Sequence, residues 1–361
     1  MKKIIKSVFI GLPILLLSAI LIIYFGAYAP DKVEEEKVVC KGDAPELKAG
    51  AKLKVLVWNV QYMASKNYVF YYDLPAGDGP DTRPSPEHIK WTVGQVARVI
   101  KDENPDLILL QELNDGAANT YKDNQLLDLL KALPAGAYPC HAHSFYWKAP
   151  FVPHPSIMGS VGMKLGTLSR YKITKAVRHA LPPTPADFLS RRMGLHRAIL
   201  NTTLPVAGGK ELIIMNTHLD AFAAGTDHMA RQVNIVKEHV MKTDQAGLPW
   251  VLAGDFNLLP PGFDRSSLHP DAQTFYNKET EITPLFDAFA SAATRSMLTG
   301  PKRAAYFTQN SNNPRIKTKP DRTIDYIFYS KLLKLKEHRV RKKDTMNISD
   351  HLPLIAEFTV P

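Results

Sequence analysis

The sequence predicts one α/β domain that extends from about residue 50 to residue 361. Short apolar runs rich in β-branched residues alternate with stretches of helical periodicity, and neither an internal repeat nor a low-complexity tract interrupts them. The chain contains 45% hydrophobic and 22% charged residues, a composition typical of a globular protein that buries a large core. A single α/β domain is therefore the simplest interpretation.

Eight short apolar segments are predicted to form strands, and most of them end at a polar residue. They cover residues 54–58, 107–110, 163–169, 198–204, 212–217, 250–253, 323–329 and 354–360.

Two segments carry apolar side chains at helical spacing and are predicted to be helices, over residues 86–103 and 226–242. Pro86 suits the first turn of a helix, and Thr226 suits an N-cap. Three segments rich in proline, glycine or aromatic residues are predicted to be long loops, which in a compact domain are often functional. They cover residues 72–85, 141–160 and 261–284.

The first 30 residues predict a membrane segment. Lys2, Lys3 and Lys6 precede an uncharged apolar run over residues 8–29, which as a helix is long enough to cross a bilayer core of about 30 Å. We interpret this run as an uncleaved signal anchor. The alternative is an export signal that is cleaved after Ala29, but the run is longer than cleavage needs.

The orientation of the chain follows from the charges beside this segment. Basic residues near a membrane anchor stay on the cytoplasmic side, so the chain after residue 30 is expected outside the cytoplasm. We predict a stem over residues 31–50 and the main domain over residues 51–361. In a bacterium this is a single-pass inner-membrane protein with a periplasmic domain.

The chain has two cysteines, Cys40 in the predicted stem and Cys140 in the main domain. An exported location permits them to pair, which would tie the stem to the domain. Two unpaired thiols are the alternative, because spacing alone does not supply the geometry of a disulfide. A zinc site on these cysteines is improbable, since neither belongs to a closely spaced pair.

The formal net charge of +10 is concentrated in one segment. Residues 302–343, which we call the basic segment, contain thirteen Lys and Arg residues and three acidic residues, so the rest of the chain sums to zero. Such a segment fits a polyanion, either a nucleic acid or an anionic lipid surface. Surface lysines that serve solubility are the alternative interpretation.

Polar side chains follow or precede most of the predicted strands. No single one is informative, because an isolated Asp at a strand end is usually a turn residue and an isolated His is usually structural. The recurrence across six motifs points to a shared site, and its members are Asn59, Glu112, His218, Asp255, Asn257, Asp325, Asp350 and His351.

These residue types suit hydrolysis of a phosphate ester. The reaction needs neutralised charge, an aligned water and a protonated leaving group. Carboxylates such as Glu112 and Asp350 suit Mg²⁺ or Mn²⁺. A histidine beside a carboxylate can serve as a general base, or polarise the phosphoryl oxygen, near neutral pH. The sequence has neither a glycine-rich phosphate loop nor a GxSxG motif, so covalent catalysis and nucleotide-driven chemistry have no support.

The motifs WNVQ, LLQEL, GTLSRYKI, NTHLDA, GDFN, TIDYIF and SDHLP occur in this order from about residue 54 to the end of the chain. In type and order they resemble the endonuclease/exonuclease/phosphatase superfamily, which includes deoxyribonuclease I, exonuclease III, neutral sphingomyelinases and inositol polyphosphate 5-phosphatases. The resemblance implies two mixed sheets packed face to face with helices outside, and a site at one edge of this four-layer sandwich.

The resemblance also implies roles for the residues. Asn59 and Glu112 match the metal-side pair, with Asp350 near the same cation. Asp255 resembles the residue that orients or deprotonates the attacking water. Asn257 would bind the phosphate or hold in place the groups that surround this water. His351 matches the histidine of the family's last motif, which is SDHLP in this sequence.

Two further residues complete this set. Asp325 resembles the carboxylate that fixes and charges the terminal histidine. His218 matches the branch in which a second histidine faces the phosphate, as in deoxyribonuclease I and sphingomyelinases.

The substrate is less well determined, because superfamily members share a metal centre and differ in their loops. The first hypothesis is a phosphodiesterase for lipid head groups at the membrane, which the anchor, His218 and the aromatic stretch around Trp147 support. That stretch, residues 143–155, would insert into a bilayer or stack on bases, or simply pack on its own domain. Inositol phosphatase activity ranks lower, since Asn257 is followed by two leucines.

The second hypothesis is an extracytoplasmic nuclease acting on DNA or RNA. Four basic residues before the TIDY motif could grip backbone phosphates, namely Arg315, Lys317, Lys319 and Arg322. A third interpretation is a membrane-tethered binding module that has lost catalysis. Such a module would lack one of the metal-ligand residues or one of the histidines of the motifs, and none of these residues is missing.

Overall fold

The computed structural model describes residues 17, 18, 20, 21, 24–316 and 319–361. Most of the predicted membrane segment, and Lys317 of the basic segment, lie outside these residues. Within the described part of the chain, no helix is both long enough and apolar enough to cross a membrane.

The first of two large sheets has seven strands in the order β1-β8-β9-β11-β12-β14-β13. β11 and β12 are parallel, and the other neighbours are antiparallel. The strands are β1 (Val33–Glu35), β8 (Lys175–Ala180), β9 (Ala198–Leu204), β11 (Leu212–His218), β12 (Trp250–Asp255), β13 (Ala290–Ser291) and β14 (Asp325–Tyr329).

The second sheet also has seven strands, in the order β15-β16-β4-β5-β7-β6-β2. β4 and β5 are parallel, and the others are antiparallel. Its strands are β2 (Val38–Cys40), β4 (Lys52–Asn59), β5 (Leu107–Asn114), β6 (Cys140–Val152), β7 (Gly159–Ser169), β15 (Lys334–Val340) and β16 (Leu354–Thr359). A short parallel pair, β3 (Leu47–Lys48) and β10 (Val206–Ala207), stands apart.

Helices lie on the outer faces of both sheets and in the connecting segments. They are α1 (Pro86–Glu103), α2 (Gln125–Ala132), α3 (Phe188–Met193), α4 (His228–Gln245), α5 (Pro270–Gln273), α6 (Thr283–Ala288) and α7 (Arg295–Thr299). α1 and α2 pack on the second sheet, and α4 packs on the first. The α1 bounds match the prediction, and Ser85 caps it by accepting from His88 N.

The apolar faces of the two sheets meet in a central core. Val55, Val57 and Leu109 of the second sheet pack with Ile214 and Val251 of the first. Burial on both faces explains why these strands read as continuous apolar runs in the sequence. The predicted fold, two mixed sheets flanked by helices, is confirmed. All eight predicted strands are present, with ends that differ by a few residues.

The segment between residues 31 and 50 contributes strands to the domain. β1 pairs with β8, and β2 pairs with β6. Cys40 and Cys140 face each other in the β2–β6 register and form a disulfide. The predicted stem is thus joined to both large sheets by backbone hydrogen bonds.

The prediction of a loop over residues 141–160 is wrong, because β6 occupies most of this range. β6 pairs with β7 along its length, with irregular register between Phe145 and Trp147 and between Ala149 and Val152. Beyond Ala142 it is an edge strand, since β2 covers only its first residues. Proline is tolerated at edges and bulges, so Pro150 does not interrupt the strand.

Candidate active site

The polar residues predicted from the strand ends come together at one edge of the sandwich. Asn59 ends β4, His218 and Asp255 end the parallel pair β11 and β12, and Asp325 begins β14. His218 is opposite Asp255 in the register, and Asp255 is opposite Asp325. The eight residues predicted for the site therefore form one group, which we call the polar edge: Asn59, Glu112, His218, Asp255, Asn257, Asp325, Asp350 and His351.

A bulge in β5 sets the position of Glu112. The register with β7 shifts between Leu110 and Leu113, and Glu112 has a φ of +58°. This left-handed conformation is uncommon for a residue other than glycine and occurs where a bulge redirects a side chain. The Glu112 carboxylate accepts a hydrogen bond from Asn59 Nδ2 at 3.0 Å.

Gly254 permits the close approach of β11 and β12. Its φ is +149°, and a Cβ atom there would lie 1.9 Å from the Thr217 carbonyl oxygen. Any other residue would push the strands apart. The glycine of the GDFN motif thus holds Asp255 beside His218.

Asp255 is the centre of the polar edge. It is buried, and its Oδ2 accepts from Asn59 Nδ2 at 2.9 Å. The same oxygen lies 3.3 Å from His218 Nε2 and 3.5 Å from His351 Nε2. Burial raises the pKa of Asp255 to about 7, an effect that His351 opposes and Asp325 reinforces. This carboxyl group can therefore exchange a proton near neutral pH.

His351 is held in its charged form by carboxylates. Its Nδ1 lies 2.9 Å from Asp325 Oδ2 and 3.0 Å from Asp325 Oδ1. Burial alone would lower the pKa of His351, but Asp325, Asp255 and Asp350 together raise this pKa well above its ordinary value. Trp58 Nε1 donates to the His351 carbonyl oxygen at 2.8 Å and fixes the backbone.

His218 has the opposite protonation preference. Burial, together with the positive charges of Arg197 and His351, lowers the pKa of His218 well below its ordinary value. Its Nε2 lies 3.1 Å from Asn257 Nδ2, and its Nδ1 lies 3.4 Å from the Tyr146 hydroxyl. The site thus pairs one neutral histidine with one charged histidine.

Of the residues predicted for the metal side, Asn59 donates a hydrogen bond to Glu112, and Asp350 acts on Glu112 electrostatically. Burial raises the pKa of Glu112, and the neighbouring Asp350 raises it further. Glu112, His218 and Asp255 each offer an atom, all within 4.8 Å of one another. Asn59 acts as a hydrogen-bond bridge between the two carboxylates, and its place on the metal side stays a prediction.

Of the four basic residues predicted to hold phosphate, Arg322 alone lines the cavity at the polar edge among those that the structure describes. It is buried, and its Nη1 pairs with Asp321 Oδ1 at 3.0 Å. Arg315 is exposed and pairs with Asp271 at 3.3 Å. Lys319 is also exposed.

Two residues of the site were missed by sequence reasoning. Arg197 is buried beside the cavity, pairs with Asp220 at 2.8 Å and leaves Nη1 without a hydrogen-bond partner. Its guanidinium lies 4.8 Å from the centre of the Tyr146 ring. Tyr146 was assigned to a loop. Arg197 directly precedes the predicted strand over residues 198–204, so its position was a signal that could have found it, whereas no predicted strand end lies next to Tyr146.

A buried polar pair couples the two halves of the site. Asn216 of β11 accepts from Gln111 Nε2 at 2.7 Å and donates to the Leu110 and Gly166 carbonyl oxygens of the second sheet. Buried amides are costly unless paired. This contact therefore favours one relative position of the sheets, the one that brings Glu112 to Asp255.

The polar edge lies in a cavity of about 680 Å³. Six of its members line this cavity directly, and Asn59 and Asp325 reach it through the hydrogen bonds described above. Most other lining side chains are apolar or aromatic, including Tyr71, Trp147, Ile157, Met193 and Phe222.

Solved structures share this fold. An endonuclease/exonuclease/phosphatase from Beutenbergia cavernae DSM 12333 superposes with a TM-score of 0.57 at 22% identity, covering 86% of this chain and 72% of that protein. An endonuclease/exonuclease/phosphatase family protein from Leptotrichia buccalis C-1013-b superposes with a TM-score of 0.56 at 18% identity. The match covers 84% of this chain and 98% of that protein. The human Nocturnin catalytic domain, solved with a bound sulfate anion, superposes with a TM-score of 0.52 at 20% identity. The match covers 90% of this chain and 98% of that domain.

Among curated protein sequences, none matches the chain significantly. The sequence profile of the Endonuclease/Exonuclease/phosphatase family matches residues 91–351, which is more than half of the chain. The matched range begins inside α1 and ends at His351, so it includes all members of the polar edge except Asn59. The chain therefore belongs to the endonuclease/exonuclease/phosphatase family of phosphoester hydrolases.

Proposed function

We propose that the protein is a divalent-metal-dependent phosphodiesterase that acts at the extracytoplasmic face of a membrane, on a lipid head group or a similar small phosphoester. The observation that carries the proposal is the joining of Asp255, one neutral histidine and one charged histidine at a cavity lined by Glu112. This arrangement supplies groups for each requirement of phosphoester hydrolysis.

The roles follow from protonation and position. The charged His351, fixed by Asp325, would neutralise a phosphate oxygen and donate a proton to the departing oxygen. Asp255 would orient the attacking water and accept its proton, because its pKa lies near 7. The neutral His218 and the Asn257 amide would hydrogen-bond to the phosphate, and Arg197 would add positive charge from its unpartnered Nη1.

The donor set fits a divalent cation. Glu112, Asp255 and Asp350 place three carboxyl groups at one cavity, and burial disfavours the charged forms of Glu112 and Asp255. Glu112 and Asp350 would hold Mg²⁺ or Mn²⁺, since both ions prefer oxygen ligands. When bound, the cation would neutralise phosphate charge and activate water.

The shape of the site favours a small phosphoester over a polymer. The catalytic side chains lie within a cavity with apolar walls. In the basic segment, Arg339 and Arg341 pair with Glu103, and Arg315 pairs with Asp271. Charges that are neutralised within the protein contribute little to binding of a polyanion.

The proposed location depends on two features. The apolar run over residues 8–29 follows three lysines, which favours an anchor with the domain outside the cytoplasm. The disulfide between Cys40 and Cys140 supports an oxidising compartment, such as the periplasm. Protease added outside the inner membrane should digest the domain, and full protection would contradict this orientation.

The alternative function is a nuclease, which Arg322 in the cavity supports. A non-catalytic binding module is the third candidate, and the intact polar edge argues against it.

Parallel assays of bis-p-nitrophenyl phosphate, plasmid DNA and phospholipid vesicles, with Mg²⁺ or EDTA, test the proposal. We expect metal-dependent cleavage of the small diester and the vesicle lipid, with little effect of salt on the small diester. Cleavage confined to DNA, and weakened steeply by salt, would favour the nuclease. No cleavage at all would favour the binding module.

A further inference from the structure

The cavity has two chemically different parts. In the polar edge, His218, Asp255 and His351 are no more than 4% exposed. The cavity is also lined by a set of apolar side chains, of which one is buried and three are half-buried. We call this set the apolar wall, and it consists of Trp147, Val152, Ile157 and Met193.

The apolar wall is continuous with the N-terminal segment. Ala27 is buried in one cluster with Ala149, Val152 and Val161, against which Trp147, Ile157 and Met193 pack. The Tyr28 amide donates to the Lys148 carbonyl oxygen at 2.9 Å. The chain that precedes the domain is therefore fixed against the same side chains that line the cavity.

A second contact ties this segment to α3. Arg192 Nε donates to the Tyr24 carbonyl oxygen at 3.1 Å, and its guanidinium lies 5.0 Å from the centre of the Tyr24 ring. Met193, the next residue, belongs to the apolar wall. Tyr24 therefore lies beside the end of α3 that contributes Met193 to the cavity lining.

The run of residues 8–23 before Tyr24 is uncharged and mostly apolar. Residues 8–29 carry no charge, and within this run Leu17, Ile20, Leu21 and Phe25 have between 44% and 71% of their surface exposed. Exposed apolar side chains in such density mark a surface that meets a membrane or another apolar partner. A bilayer that receives this run would lie next to the apolar wall.

We propose that the apolar wall binds the hydrocarbon chain of a lipid phosphodiester, while the polar edge holds its phosphate. This inference rests on the proposed function and adds the site that would bind the hydrocarbon chain of the lipid. The lipid would pass from the bilayer along the N-terminal segment into the cavity. Its hydrocarbon chain would then stay out of water, which is the physical advantage of an anchor that lies beside the cavity.

Two substrates that differ only in chain length test the inference. The full-length protein in detergent micelles is assayed with Mg²⁺ on methyl and octyl 4-nitrophenyl phosphate. Each buried methylene strengthens binding about fourfold, so we expect kcat/KM for the octyl ester to exceed that for the methyl ester by about tenfold or more.

Matched variants separate binding by the apolar wall from partitioning into the micelle. Ile157→Asn alters the wall, whereas Met158→Asn alters the adjacent side chain, which is 61% exposed and absent from the cavity lining. We expect Ile157→Asn to reduce the octyl-to-methyl ratio to near one and Met158→Asn to keep it. Met193→Gln should act like Ile157→Asn, and thermal melts show whether each variant is folded.

The outcomes distinguish the inference from the proposed function. An unchanged octyl-to-methyl ratio in both Ile157→Asn and Met193→Gln, with the methyl ester still cleaved, would overturn the inference and leave the phosphodiesterase intact. Failure of the wild-type protein to cleave either ester would overturn the proposed function and this inference with it.

Discussion

The polar edge and the basic segment differ in how their charges are compensated. At the polar edge, charged groups face one cavity, and the pKa of His351 is raised while that of His218 is lowered. In the basic segment, Arg339 and Arg341 are bound to Glu103, and Arg341 also to Asp344. The first region keeps groups available for a ligand, and the second uses Arg339 and Arg341 in ion pairs that hold the protein together.

This difference shows that charge density along the chain is a poor guide to which cations line the cavity. The basic segment contains the entire net charge of the protein, yet Arg322 is its one described cation that lines the cavity. Arg197, which lies far from this segment in the sequence, also lines the cavity. Which cations line the cavity is thus set by the packing of the chain, whatever the composition of the surrounding sequence.

The largest effect is expected from His351→Ala. Removing the charged imidazole eliminates both charge neutralisation and proton donation, so kcat for bis-p-nitrophenyl phosphate should fall by about 10³-fold or more. Near-normal turnover in a variant that melts like the wild type would remove His351 from the mechanism. Asp255→Ala should cause a loss of similar size.

A smaller effect is expected from Asp325→Asn. The amide cannot hold a positive charge on His351, so the pKa of His351 should fall and less of the charged form should be present near neutral pH. We expect kcat to decrease by about 10²-fold. Unchanged kcat, measured across pH, would show that His351 is charged without this carboxylate.

Arg322→Met and Arg315→Met compare two arginines of the basic segment directly. Arg322 lines the cavity, and a charged hydrogen bond to phosphate contributes about 1.5–3 kcal/mol, so its loss should raise KM about tenfold or more. Arg315 is exposed and paired with Asp271, so its loss should change KM less than about twofold. Equal effects would show that the basic segment acts as one phosphate-binding surface.

The smallest effect is expected from Glu103→Gln, which tests the structural role of the basic segment. Arg339 and Lys54 hydrogen-bond to Glu103 and, despite its burial, lower its pKa. Its charged form therefore stabilises the protein above its ordinary pKa, and this stability is lost as pH falls through the lowered value. Because Arg339 is 39% exposed, the loss should be at most about 1 kcal/mol.

This prediction is checked by thermal melts at neutral and acidic pH. The difference in Tm between the variant and the wild type should shrink on acidification, while kcat at neutral pH stays the same. A large loss of kcat would instead connect the basic segment to catalysis.

Much of the fold could be predicted because it is encoded by local patterns. Apolar runs that are buried on both faces gave β4, β5, β11 and β12, and helical spacing with a cap gave α1. β6 was missed because Pro150, Pro153 and Pro155 are typical of loops, although the aromatic residues before them favour a strand. Only its pairing with β7 and its position at the sheet edge make it a strand.

The sequence by itself determined the order of the motifs and the residue types at the strand ends, because each strand and its terminal residue are neighbours in the chain. Tertiary structure alone decided which of these groups meet. The contact of Asn59 with Asp255 and of Trp58 with His351 joins residues far apart in sequence. It also decided that Arg197 faces the cavity while Arg339 and Arg341 do not. The reason is physical: pKa shifts, ion pairs and burial depend on distances through space, which only the packing of the two sheets fixes.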